Sequence, residues 1–113
     1  MVKVCLDAAA VAAEEGQSIE VIDLRSLSPL DMDNLAASVE KTGRLVVAHE
    51  APTFMGLGAE IAAAISQRCF YHLESPVIRV GGYNLPYPPS RIVEDFLPDL
   101  DRVLDGVDRA LSY

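Results

Sequence analysis

The chain begins with apolar residues at helical spacing. Gly16 follows them, where a glycine in the left-handed conformation would cap a helix. The pattern therefore predicts a helix from Met1 to Glu15. The residues that form its apolar face are Val4, Ala8, Val11 and Ala12.

Three short runs have the composition of β-strands. They are Ile19 to Leu24, Leu45 to Ala48 and Pro76 to Val80, and each is dominated by apolar and β-branched side chains. Continuous apolar runs of this length are typical of strands that helices cover on both faces, which is the usual situation in a parallel sheet. We therefore expect a largely parallel sheet.

Helices are predicted between and after these runs. Ser28, with Pro29 at the first helical position and Asp31 three residues after the serine, resembles a capping box, and Gly43 marks the end of that helix. Further apolar faces predict a helix over residues 59–69 and a closing helix over residues 100–111, with Asp99 as its cap.

Residues 81–90 interrupt this alternation, because three prolines there stand beside Tyr83 and Tyr87 and favour an irregular arm or interface loop. The remaining order of helices and strands is that of a three-layer α/β/α domain with an open, mostly parallel sheet. With 113 residues, we expect a single domain over residues 1–113. Such a domain normally opens on a strand, whereas this chain opens on a helix.

The net charge of -8 makes nucleic acid and anionic membranes unfavourable partners, because both are polyanions. No apolar run approaches the roughly 18 residues that span a bilayer. The acidic residues concentrate after residue 93, where they would form either a solvated helix face or a surface for a basic partner.

The two cysteines, Cys5 and Cys69, are too few for a disulfide framework, and no Cys/His cluster has the spacing of a metal site. A reducing cytoplasm is the expected location. His72 lies three residues after Cys69, but a core cysteine and a surface histidine explain this pair better than a catalytic role does.

His49 and Glu50 follow the apolar run 45–48, at the strand end where open α/β sheets bind ligands. They are acid/base candidates, although adjacent residues of a strand point in opposite directions. The alternative is that their polar groups form hydrogen bonds with a buried loop or at a subunit contact. Gly56 and Gly58 then lead into a predicted helix N-terminus that could receive an anion, although close backbone packing is the simpler explanation.

Several blocks of sequence resemble the C-terminal domain of transketolase-like β subunits of 2-oxo acid dehydrogenases. The blocks are EVIDLRSLSPLD (20–31), KTGRLVVAHEAP (41–52) and GAEIAA (58–63). The resemblance covers nearly all of the chain. Shorter blocks look most like branched-chain 2-oxo acid dehydrogenase (2-oxoisovalerate dehydrogenase) β subunits, namely HEAP (49–52), CF (69–70), LESP (73–76), RVGGY (79–83), PYP (86–88) and the final Tyr113.

The resemblance implies an α2β2 oxidoreductase that uses thiamin diphosphate and Mg²⁺ to decarboxylate a 2-oxo acid from branched-chain amino acid catabolism. The acyl group then passes to lipoyl-lysine. In that family the cofactor and the catalytic histidine belong to the α subunit and to the N-terminal domain of the β subunit. The resemblance therefore implies no catalytic residue, cofactor ligand or metal ligand on this chain, and an inactive isolated chain.

The resemblance also implies partners. The α subunit and a second β subunit would assemble with this chain, and Glu74 and Tyr113 match positions that hold the basic subunit-binding domain of the lipoyl acyltransferase. The family's first strands have no counterpart here, so we expect exposed strand edges and self-association. The same domain of a pyruvate or acetoin dehydrogenase, or a stand-alone interaction or small-anion module, are the alternatives.

Overall fold

The computed structural model describes residues 1–113. It contains five helices and two strands, none of the helices being long and apolar enough to cross a membrane. The elements are α1 (Val2–Glu14), α2 (Met32–Thr42), β1 (Val46–Pro52), α3 (Leu57–Arg68), β2 (Ile78–Gly82), a 3-10 turn (Ser90–Ile92), α4 (Val93–Phe96) and α5 (Leu100–Leu111).

The two strands pair in parallel, as the apolar runs predict. Val47 lies opposite Arg79 and Ala48 opposite Val80, and an irregularity after Ala48 brings Pro52 opposite Gly82. Parallel strands need a crossover connection, and α3 supplies it between β1 and β2. The predicted α/β class with parallel pairing is confirmed.

Two hydrophobic cores lie on the two faces of this pair, because successive side chains of a strand point to opposite faces. Val47 contributes to a core against α2 and α3, whereas Ile78 and Val80 contribute to a core against α1 and α5. The buried residues of the first core are Leu35, Ala36, Val39, Val47, Ile61, Ile65 and Cys69. Those of the second are Ala8, Ile78, Val80, Val103 and Ala110.

The helix ends follow the predicted signals with one exception. Gly16 and Gly43 both have positive φ, and the Asp99 side chain accepts the Arg102 N–H at the start of α5. The prediction for Ser28 and Pro29 is wrong, because α2 begins only at Met32. Its cap is Asp31, which accepts the backbone N–H of Asn34 at 3.1 Å.

The predicted strand from Ile19 to Leu24 is also wrong. Residues 17–24 contain no helix, turn or bend, and residues 18–23 make no backbone hydrogen bond, while Arg25 has a positive φ. A strand forms only beside another strand, and β1 does not reach this segment. A cavity lies between them instead.

The arm after β2 is irregular over residues 83–89, as its prolines predict, but a 3-10 turn and α4 then follow unpredicted. Arg102 of α5 anchors this arm. Its guanidinium donates to the carbonyls of Gly81 and Phe96 and lies 4.5 Å from the centre of the Tyr83 ring. A charge-assisted contact therefore ties the arm to the closing helix.

Replacing Arg102 by Lys should loosen the arm, because an ammonium group does not reproduce two hydrogen bonds and a stacked cation at once. We expect a loss of about 1–3 kcal/mol in the free energy of unfolding. Urea denaturation measures it. Arg109→Lys is the matched control, since Arg109 makes only an exposed contact with Asp105 at 3.8 Å. Equal stability of the two variants would contradict the anchoring role.

Candidate functional site

His49 lies at the middle of β1, and its half-buried ring sits in a socket. Its Nδ1 lies 2.8 Å from the carbonyl oxygen of Ala51, and since a carbonyl only accepts, Nδ1 carries the proton and donates. Nε2 is buried and has no hydrogen-bond partner. The ring therefore orients the backbone of the last residues of β1, and its second nitrogen is closed to solvent.

Three glycines form the walls of this socket. A Cβ at Gly58 would lie 2.5 Å from His49 Nε2, and one at Gly56 would lie 2.2 Å from the Pro52 oxygen. A Cβ at Gly81 would lie 3.0 Å from the His49 ring. The glycines are needed for close packing around an imidazole, which is the use that the sequence favoured for Gly56 and Gly58. Gly81 was not predicted, since no sequence pattern links it to His49.

Glu50 does not join His49. Its carboxylate is half exposed and lies 3.5 Å from the α-amino group of Met1, on the other side of the strand. The two neighbours therefore point apart, as strand geometry predicts, and the structure does not bring them together as an acid/base pair.

Cys69 and His72 are also separate. The α3 helix ends at Arg68, so His72 is exposed, while the Cys69 thiol is buried 3.9 Å from the Ala36 carbonyl. Burial raises the pKa of this thiol above its ordinary value, which keeps it protonated and unreactive at neutral pH. The interpretation as a core cysteine and a surface histidine is confirmed.

Glu74 lies on the surface close to the end of α5, and Arg44 connects them. The Arg44 guanidinium bonds to Glu74 Oε2 and donates through Nε to the Ala110 carbonyl at 3.0 Å. Ala110 stands three residues before Tyr113, whose side chain is exposed. The structure thus brings Glu74 and the end of α5 to one region through Arg44. No sequence pattern indicated Arg44, because it lies thirty residues from Glu74.

The chain offers no fitting site for thiamin diphosphate or Mg²⁺. No group of three or more His, Cys, Asp or Glu side chains lies close enough together to hold a metal ion. At the N-terminus of α3, the Pro52 carbonyl and the His49 ring fill the space against Gly56 and Gly58. This turn is packed from within, so it does not form an open cradle for a diphosphate.

A family model described as the C-terminal domain of transketolase matches residues 1–103. The chain belongs to the transketolase C-terminal domain family. Similar proteins are β subunits of 2-oxo acid dehydrogenases. One is the pyruvate dehydrogenase E1 component subunit beta of Leifsonia xyli, 54% identical over 100% of this chain and 34% of its own length.

Two further relatives act on branched-chain substrates according to their names. The 3-methyl-2-oxobutanoate dehydrogenase subunit beta of Mycobacterium tuberculosis is 50% identical over 98% of this chain and 32% of its own length. The mitochondrial 2-oxoisovalerate dehydrogenase subunit beta 2 of Arabidopsis thaliana is 46% identical over 100% of this chain and 30% of its own length. This transketolase C-terminal domain thus spans about a third of the length of these relatives.

Replacing Gly58 by Ala should destabilise this transketolase C-terminal domain, because the new methyl group meets the buried Nε2 side of the His49 ring. We expect a loss of about 1–3 kcal/mol from overpacking, partly offset by the better helix propensity of alanine. Urea denaturation measures the free energy of unfolding.

A double-mutant cycle supplies the control. His49→Ala removes the ring, so Gly58→Ala should cost less in that background than in the wild type. If Gly58→Ala lowers the free energy of unfolding equally with and without the His49 ring, packing against the histidine is not the reason for the glycine.

Proposed function

We propose that this chain is the assembly and acyltransferase-docking domain of the β subunit of a branched-chain 2-oxo acid dehydrogenase. The observation that carries the proposal is identity of 50% and 46%, over 98% and 100% of the chain, to β subunits of a 3-methyl-2-oxobutanoate dehydrogenase and a 2-oxoisovalerate dehydrogenase. Thiamin diphosphate and Mg²⁺ would then be held by the α subunit and by other parts of the β subunit.

Exposed apolar side chains support the assembly role. A soluble protein rarely exposes many large apolar groups in neighbouring segments, and such surfaces commonly become subunit contacts. The loop after β1 and the arm after β2 both carry them, and the Asn84 side chain joins the two by accepting the Phe54 N–H at 3.0 Å. The exposed residues are Phe54, Met55, Tyr83, Leu85, Tyr87 and Ile92. We assign this surface to the α subunit and the second β subunit of an α2β2 enzyme.

The docking role rests on Glu74. Arg44 holds the carboxylate through Oε2, so the side chain is fixed in place while 60% of it stays exposed. A fixed, exposed carboxylate can accept a further hydrogen bond from an arginine with little additional loss of side-chain entropy. The exposed aspartates of α5 add negative charge that would attract a small basic domain. We place the subunit-binding domain of the lipoyl acyltransferase here, with Tyr113 as a second contact.

Replacing Glu74 by Lys in the assembled enzyme should weaken binding of the subunit-binding domain at least about tenfold, because an attraction becomes a repulsion. Titration calorimetry at low and high salt measures the affinity. Decarboxylation with an artificial electron acceptor should be unchanged, since it does not require the acyltransferase.

Glu60→Lys is the matched control for this experiment. Glu60 is exposed in the first turn of α3, at the end of β1 opposite Arg44, and it makes no ion pair, so the variant has the same change in net charge away from Glu74. If both substitutions weaken binding equally, the effect comes from the change in net charge alone. If Glu74→Lys leaves the affinity unchanged, the assigned contact is excluded.

The branched-chain substrate is tested by activity. A heterotetramer whose β subunit contains this domain should turn over 2-oxoisovalerate with a kcat/KM at least about tenfold above that for pyruvate, and the isolated chain should turn over neither. The 54% identity to the Leifsonia pyruvate dehydrogenase subunit supports the alternative, a pyruvate dehydrogenase. A preference for pyruvate would establish that alternative.

A further inference from the structure

A polar cavity of about 420 Å³ lies at the carboxyl end of β2, between that strand end and α5. The carboxyl ends of parallel strands are where open α/β sheets bind ligands. Val80 and Tyr83 contribute the only apolar side chains of the lining. An open polar crevice is therefore present at this edge of the sheet, although the neighbouring socket of His49 is filled from within.

The charged side chains that line this cavity cancel one another. They are Arg79, Arg102, Arg109, Asp99, Asp101 and Asp105. A simple anion would be attracted by the guanidinium groups and repelled by the carboxylates, and a simple cation would meet the reverse. An apolar ligand would take charged groups out of water without replacing their hydrogen bonds. A ligand that carries one charge of each sign avoids all three penalties.

Two of these side chains are already engaged within the protein. Arg102 donates to the carbonyls of Gly81 and Phe96, and the Asp99 carboxylate accepts the Arg102 backbone N–H at 2.9 Å. They hold the start of α5 against the strand end. The charges left to meet a ligand are those of Arg79, Arg109, Asp101 and Asp105.

Arg79 is oriented in advance on the strand side of the cavity. Its Nη1 donates to the Thr53 carbonyl at 2.9 Å, while the residue stays exposed. A guanidinium group has five N–H donors, of which this bond uses one, so a carboxylate can still be bound in bidentate fashion. Because the bond restricts the side chain beforehand, a ligand loses less affinity to side-chain ordering.

The helix side supplies carboxylates. Asp101 and Asp105 are exposed and lie one turn apart on α5. Asp105 has only the exposed contact with Arg109 at 3.8 Å, and a pair of this kind contributes little. One turn of helix rises about 5.4 Å, and an ammonium group bonds to an oxygen at about 2.9 Å, so one ammonium group can bridge the two carboxylates.

We propose that this cavity binds a small polar zwitterion of the α-amino acid class, with its carboxylate on Arg79 and its ammonium group on Asp101 and Asp105. Since both sides of the site are exposed to water, we expect a dissociation constant on the order of 1 mM. The site rests on the geometry of this chain and does not depend on the proposed function.

The test uses the full 113-residue chain and L-serine as the probe. The titration is followed by NMR chemical shifts at about pH 6, where an α-amino group is protonated. L-Serine should shift the backbone amides of residues 80–84 and 99–105 and reach saturation in the millimolar range. If about 10 mM L-serine leaves these amides unshifted, the proposal is overturned.

Two analogues of the probe are the matched controls. N-Acetyl-L-serine keeps the carboxylate and loses the ammonium group, whereas L-serinamide keeps the ammonium group and loses the carboxylate. Each should bind at least about tenfold more weakly than L-serine, because each leaves one sign of charge in the cavity unpaired. If either analogue binds as well as L-serine, the cavity is a simple anion or cation site and the proposal is wrong.

Variants identify the two contacts separately. Arg79→Gln and Asp105→Asn should each weaken L-serine binding at least about tenfold. Arg91→Gln and Asp108→Asn make the same changes in charge at exposed residues outside the cavity, so they should leave the affinity unchanged. If a cavity variant and its control lose affinity equally, the assigned contact is excluded. If Arg79→Gln does not fold, the analogues and the two aspartate variants decide the matter.

Discussion

The parallel ladder between β1 and β2 is the interaction on which the rest of the structure depends. Together with the backbone bonds that flank it, such as Glu74 N–H to the Gly43 carbonyl, it joins parts of the chain that are distant in sequence, and it separates the two hydrophobic cores. Odd-numbered residues of β1 face α2 and α3, and even-numbered residues face α1 and α5. A shift of one residue in the register would therefore exchange the side chains of both cores at once.

The same ladder determines what the carboxyl end of the sheet can do. It places His49 against Gly56, Gly58 and Gly81, where one ring nitrogen is bonded and the other is closed off. Glu50 is turned to the opposite side of the strand. Polar residues at this position thus hold the strand end and its loop together.

Arg44, at the start of β1, has a corresponding role at the other end of the strand. It is partly buried, and it satisfies the Ala110 carbonyl while orienting the Glu74 carboxylate. The proposed docking contact is therefore coupled to the sheet and to α5.

The sequence by itself determined the local features of this protein. Apolar spacing predicted α1, α3 and α5, the glycines at 16 and 43 predicted helix ends, and the run from Leu45 to Ala48 predicted a strand, because these signals act within a few residues. Family blocks likewise identified the domain. Only the tertiary structure decided the rest. The strand-like run from Ile19 to Leu24 stays unpaired because pairing needs a neighbour, and Gly81 and Arg44 acquire their roles from residues far away in the chain.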